Sequence, residues 1–260
     1  MARGAGLSVA PNQLGDAKGG DAANYNENDT CIFAYGFHTT CGRRTANEDR
    51  VVVVPCVNGN SRHNLYGVFD GHGGDKAAEF CSTEIPRLVR DAVLQRGGEL
   101  SELDALDVFH DAFLQADKQL AENGVLDQGT TACTVFVSGD VIYTASTGDS
   151  QAVLSRAGMP VMLHQVHKVS DARERKRITA SGGSIETVNG VERVNGILNM
   201  SRSLGDQTFK SAGIICDPSV NTRQVMDTAT RCFTHAVREA TTYNIPDMMM
   251  NARSQRATTF

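Results

Sequence analysis

No run in the 260-residue sequence approaches the ~20 consecutive apolar residues that a membrane helix requires, so no membrane partner is expected. Excess charge of one sign is missing too. The net charge is −5 and the basic residues are scattered, which argues against a nucleic-acid partner and against an acidic tail. The densest basic stretch, Arg173 to Arg177, has the spacing of a solvated helix face. CxxC spacing does not occur. The seven cysteines (Cys31, Cys41, Cys56, Cys81, Cys133, Cys216, Cys232) are odd in number and sit mostly in apolar runs, as reduced, small hydrophobes of an intracellular protein do. None is flanked by a phosphate-cradling loop or an activating base, which argues against a cysteine nucleophile. The amino terminus lacks a basic segment leading into an apolar one, so no secretory signal is expected, and Ala2 excludes N-myristoylation. A cytoplasmic or nuclear monomer is the resulting expectation.

What is present suits a folded domain. Hydrophobic residues make up 40% of the chain, enough at this length to bury a core without disulfides. Residues 1–30, rich in Gly, Ala, Asn and Asp without periodicity, predict a flexible arm ahead of one domain over 31–260. Strand patterns occupy Cys31 to Thr39, Val51 to Val54, Asn64 to Phe69, Thr130 to Val137, Val141 to Ser146 and Gln151 to Ser155. The last three are joined by Ser138-Gly139-Asp140 and Thr147-Gly148-Asp149-Ser150, joins so short that antiparallel neighbours are expected. Helical stripes run through Ala77, Cys81, Ile85, Leu88 and Ala92, and through Leu106, Phe109, Phe113, Ala116 and Leu120, the second opened by the capping box Ser101-x-x-Asp104. A charged helix is expected over Asp171 to Ser181, turns at Asn189-Gly190 and Asn195-Gly196, an extended piece after Asp217-Pro218, and a final helix over Thr228 to Tyr243. Strands in a meander with consecutive helices indicate the α+β class.

The chemistry concentrates around Tyr66 to Asp75. Asp70 ends a strand, Gly71 and His72 follow, and Gly73-Gly74 turns the chain into a helix. Taken alone, this stretch is equally well read as a turn in which Asp70 caps the helix. Glu48 and Asp49, where a polar turn enters a strand, add two carboxylates. Together with Asp70 and the Gly71 carbonyl they are suitable ligands for a hard divalent cation. Arg44 offers a planar fork for phosphate oxygens, and His72 a proton for a leaving alkoxide. Metal-assisted phosphoester hydrolysis is the reaction this set suggests.

The same residues lie in motifs that resemble the metal-dependent serine/threonine protein phosphatases of the PP2C (PPM) family. These are Arg44-x-x-Asn47-Glu48-Asp49, Val68-Phe69-Asp70-Gly71-His72-Gly73-Gly74, Gly129-Thr130-Thr131-Ala132, Gly148-Asp149-Ser150, Arg193-Val194-Asn195-Gly196 and Ser201-Arg202-Ser203-Leu204-Gly205-Asp206, in family order over about Phe33 to Asp217. The resemblance implies a four-layer αββα sandwich, two antiparallel sheets flanked by helix pairs. It implies that Glu48, Asp70 and the Gly71 carbonyl bind one Mg2+ or Mn2+, that Asp70 bridges to a second, and that Asp49 acts through water. Arg44 would hold the substrate phosphate, His72 would be the general acid, and Asp149 would help bind a third ion. Residues 168–198 would form a flap that contributes to the choice among phosphorylated protein substrates.

Beyond Pro218 the resemblance stops. The family's Ser/Ala-Asp-Gly-x-Trp-Asp and Asp-Asn motifs have no counterpart: the chain contains no tryptophan, and no Asp-Asn follows Pro218. Asp227 and Asp247 read as helix-start and loop residues, so the second metal site is expected to be weakened. Two functions follow: a metal-dependent protein phosphatase, or a catalytically impaired pseudophosphatase acting as a regulatory binding module. A nuclease is disfavoured by the lack of a basic surface signal.

Overall fold

The computed structural model describes residues 37–225, apart from 38, 43, 157 and 158, and the backbone of 231–235. The expected arm over 1–30, most of the strand expected from Cys31, and Asp227 and Asp247 lie outside the described residues. In chain order the elements are β1 (Arg50–Val54), β2 (His63–Phe69), β3 (Gly71–His72), α1 (Lys76–Gln95), α2 (Glu102–Glu122), β4 (Gly129–Thr130), β5 (Ala132–Ser138), β6 (Val141–Thr147), β7 (Gln151–Arg156), β8 (Met159–Met162), α3 (Ala172–Ala180), β9 (Ile185–Val188), β10 (Val191–Val194), β11 (Leu204–Gly205), β12 (Ser219–Gln224) and β13 (Arg231–His235).

Two antiparallel sheets form the centre, one ordered β1-β2-β5-β6-β12 and the other β13-β7-β8. Alternation along β5 explains the layering. Ala132 and Phe136 join Leu65, Phe69, Tyr143 and the buried faces of α1 and α2, whereas Cys133, Val135 and Val137 meet Ala152, Leu154 and Leu163 on the other side. Both helices therefore cover the same outer face of the larger sheet. The capping box of α2 forms as expected: the Asp104 N–H donates to Ser101 Oγ and the Ser101 N–H to Asp104 Oδ2, both at 3.1 Å. Leu106 is 49% exposed, and the buried stripe instead uses Ala105, Val108, Phe109, Ala112, Phe113, Ala116 and Leu120. The fold is the expected α+β sandwich. Its outer helix pair among the described residues is α1–α2, and no helix there is long and apolar enough to cross a membrane.

Two expectations are corrected. β6 and β7 are not paired neighbours; the turn at 147–150, with Gly148 at φ 99°, carries the chain from one sheet to the other, and β12 takes the place beside β6. The helix expected over Thr228 to Tyr243 contains a strand, β13, paired to β7 with Cys232 opposite Leu154. A short apolar run fits either period, and here the open edge of β7 recruits Cys232-Phe233-Thr234, residues suited to a sheet.

Two buried histidines fix the crossover. His164 Nε2 accepts the Ala152 N–H (3.0 Å) while Nδ1 meets Ser146 Oγ (2.8 Å), and His167 Nδ1 accepts the Gly148 N–H (3.2 Å) while Nε2 meets Ser219 Oγ (2.8 Å). Burial, with help from the Arg202 charge, lowers His167 from 6.5 to about 3. The folded state thus prefers the neutral ring, and the unfolded chain takes up the proton first as pH falls. This contribution is complete above about 6.5 and is lost toward 3, at up to about 1.4 kcal/mol per pH unit. Chemical denaturation of His167→Gln between pH 7 and 5 should therefore give a flatter stability profile than the wild type; parallel profiles would contradict this.

The expected flap region, residues 168–198, shares a small core with the chain that follows it: Val169, Ile178, Val194 and Leu198 pack with Met200, Ala212 and Ile214. Asp171 caps α3 by accepting the Arg173 and Glu174 N–H groups, and β9 and β10 pair across Asn189-Gly190, whose φ values of 52° and 80° fit a type I′ turn. Arg177 does not lie on a solvated face. Its Nη2 meets Glu174 Oε2 (2.8 Å) and the Ser201 carbonyl (2.7 Å), turning it into the fold.

Candidate functional site

A third, small sheet, β11-β4-β3, builds the site. Its register sets His72 opposite Gly129 and Gly129 opposite Gly205. Asp206 follows Gly205 directly, so the imidazole reaches over Gly129 to it. His72 Nε2 lies 2.7 Å from Asp206 Oδ2. An alanine Cβ at 129 would fall 2.5 Å from His72 Nε2 and closer still to the Asp206 carboxylate, so this crossing needs glycine.

Asp70 stands at the end of β2, buried, and does not cap α1; that position belongs to Asp75. Thr131 clamps the Asp70 main chain from both sides. Its Oγ1 accepts the Asp70 N–H (3.2 Å) and its own N–H donates to the Asp70 carbonyl (3.0 Å), while the same Oγ1 meets Ser150 Oγ at 2.6 Å. The next residue, Gly71, lies against the chain of Glu48. A Cβ there would stand 2.5 Å from the Glu48 carbonyl oxygen. Asn47 shapes that chain by accepting the Asp49 N–H (3.1 Å), an Asx turn, and Arg50 ties it to the head of α1 through Asp75 Oδ2 at 2.7 Å. Arg44 is exposed, on a turn closed by its N–H to the Cys41 carbonyl at 3.1 Å.

Electrostatically the site is acidic around one imidazole. Burial alone would lower His72, but the hydrogen bond and charge of Asp206, with the charges of Asp70 and Asp149, outweigh it and hold the ring above its ordinary value. Asp149 is buried as well; desolvation raises its carboxyl despite Lys168, whose Nζ is 3.4 Å away. The structure thus brings Asp70, His72 and Asp149 together, with Gly71 against the Glu48 main chain.

Among the described residues, no three His, Cys, Asp or Glu side chains form a group that could hold a metal ion. The donors that do gather are hard oxygens. Such oxygens are the donor type that a hard divalent cation takes. Sequence reasoning missed Asp206, Ser203, Thr131, Ser150 and Lys168 as parts of the site. Four of them lie inside the recognised motifs, and the signal was their spacing relative to glycines that the crossing chains need.

The five described cysteines are all free, two buried and three half-buried. The family model for protein phosphatase 2C matches residues 33–236. The chain is 34% identical over 196 residues to "Probable protein phosphatase 2C 14" of Arabidopsis thaliana, covering 74% of this chain and 43% of that protein. It is 34% identical over 188 residues to "Protein phosphatase 1L" of Bos taurus, covering 70% and 52%. The chain spans about half the length of the curated relatives it matches. Among solved structures, a phosphatase from Toxoplasma gondii superposes with a TM-score of 0.67 at 20% identity, over 83% of this chain and 80% of that one. A C. elegans sex determining protein gives 0.64 at 23%, over 73% and 47%. These two likenesses speak to the fold. With the family model running from before Arg44 to beyond β12, through every element that holds the His72–Asp206 pair, the chain belongs to the protein phosphatase 2C family.

Proposed function

We propose that this chain hydrolyses phosphoserine and phosphothreonine in proteins, in a cytoplasmic or nuclear setting, with Mg2+ or Mn2+ at the Asp70 turn. The observation that carries the reading is the register that sets His72 across Gly129 beside Asp206, with Asp70 and Asp149 acting on the same ring. Asp70, the Gly71 carbonyl and Glu48 would hold a cation, Asp49 would act through its water, and Asp149 would help with a further ion. The cation supplies charge neutralisation at the phosphate and activation of water. Arg44, on its exposed turn, binds the phosphate oxygens in a bidentate fork. His72 gives a proton to the departing serine or threonine oxygen, whose alkoxide is otherwise a poor leaving group. The flap, packed on a small core that it shares with Met200, Ala212 and Ile214, is suited to present a surface to the substrate chain.

A regulatory binding module is the second reading. It is favoured by residues 219–260, which carry neither the family's Asp-Gly-x-Trp-Asp nor its Asp-Asn motif. Initial rates on a phosphothreonine peptide, with and without Mn2+ and with a chelator, separate the two. Hydrolysis that rises with Mn2+ and collapses on chelation is expected; phosphopeptide binding without hydrolysis would support the module.

A further inference from the structure

We propose that Asp206 is a positioning residue for His72, holding the imidazole in one orientation and one tautomer before substrate arrives. The kinetic consequence rests on the phosphatase reading; the structural half does not. A carboxylate can only accept, so at 2.7 Å from Asp206 Oδ2 the ring nitrogen Nε2 carries the hydrogen. The other nitrogen, Nδ1, is buried and has no hydrogen-bond partner among the described residues, so nothing else there selects the tautomer.

Asp206 is held independently of the ring. Its side chain is 3% exposed, and Oδ2 also accepts the Ser203 hydroxyl at 2.5 Å. Its N–H donates to the Gln128 carbonyl (3.0 Å), and its φ of 49° is a left-handed conformation. The preceding Gly205 N–H donates to Asp117 Oδ1 on α2 (2.7 Å), an oxygen that also takes Lys210 Nζ at 2.9 Å. Helix α2 thereby anchors the residue that orients His72. The competing structural role, capping the 3-10 turn Gln207–Ala212, is not filled: Asp206 precedes that turn but makes no side-chain capping bond to it. Its carboxylate is committed to Ser203 and His72.

An oriented acid matters most when the leaving group needs its proton. Water bonds to phosphorus as the phosphorus–oxygen bond breaks; the serine or threonine oxygen keeps the bonding pair and takes the Nδ1 proton of the imidazolium, leaving the neutral Nε2–H ring beside Asp206, and Nδ1 later regains a proton from water. A nitrophenolate departs without that help.

The test uses the whole chain. In Asp206→Asn, kcat on a phosphothreonine peptide is expected to fall about 100-fold at nearly unchanged KM, and to fall far less on p-nitrophenyl phosphate. Adding Asp206→Asn to His72→Gln should cost little beyond His72→Gln alone, because both act through one group. Equal losses on the two substrates, or full additivity, would overturn the proposal. Nitrogen NMR of the histidine rings, at about pH 9 with Mg2+, should give the Nε2–H tautomer for wild-type His72 and loss of that preference in Asp206→Asn. An unchanged tautomer overturns the proposal whatever the activity. A changed tautomer in a protein without hydrolysis supports the positioning role and removes the phosphatase reading instead. Ser203→Ala, which leaves the carboxylate in place, should give the same discrimination between leaving groups at about a tenth of the size, and serves if Asp206→Asn fails to fold.

Discussion

Gly129→Ala is expected to lower kcat on a phosphothreonine peptide by at least about 100-fold, the lower end of what a general acid contributes. The cause is steric. A methyl group at 129 overlaps the Asp206 carboxylate and comes 2.5 Å from His72 Nε2, so the two side chains can no longer meet over the strand. The backbone pairs of β4 with β3 and β11 do not depend on that hydrogen, so the sheet itself should form. A thermal melt within a few degrees of the wild type, alongside the lost turnover, is the expected combination. Unchanged turnover would mean that the crossing has no part in the chemistry.

Glu174→Ala should be the most destabilising single change in residues 168–198, by about 3–5 kcal/mol, because it removes the buried carboxylate that the half-buried Arg177 and Arg202 share. Glu174 accepts from Arg202 Nε (3.0 Å) and Nη2 (2.7 Å), from Arg177 Nη2 (2.8 Å) and from Ser201 Oγ (2.7 Å), with 4% of its surface exposed. Burial pushes its carboxyl up, but these donors overcome the penalty and hold it far below the usual carboxylate range. The contribution is therefore complete above pH 4.5, the ordinary value, and is lost progressively as pH falls below it. Hydrogen exchange should show the loss first in the amides around Ile178, Val194 and Ile214, in the small core around α3. Destabilisation below about 1 kcal/mol would contradict the account of Glu174 as a buried charge hub.

The strand into Asp70, the two long helices and the capping box were legible because a period of two or 3.6 and a Ser-x-x-Asp spacing are local signals. Two features were not. The passage from β6 to β7 depends on what else competes for the β6 edge, and β12 lies more than seventy residues downstream. The helix expected across β13 rests on Cys232, Phe233, Ala236 and Val237, which satisfy a helical spacing over too short a run. The site divides in the same way. Asp70, Gly71 and His72 are contiguous, so the sequence alone marks them as candidates, whereas Asp206 is 134 residues from His72 and meets it only through the pairing of three two-residue strands. The solvated face expected for Arg177 fails because spacing on a helix face does not reveal a buried Glu174 one turn away.

The claim that Asp70 anchors a metal-dependent phosphatase centre is tested most directly by comparing wild type and Asp70→Asn on a phosphothreonine peptide in Mn2+. The substitution keeps the main-chain bonds to Thr131 and removes the charge. A fall in kcat/KM of at least about 10³-fold, equal to roughly 4 kcal/mol of transition-state stabilisation, is predicted for a protein that melts like the wild type. Equal rates for the two proteins would contradict it.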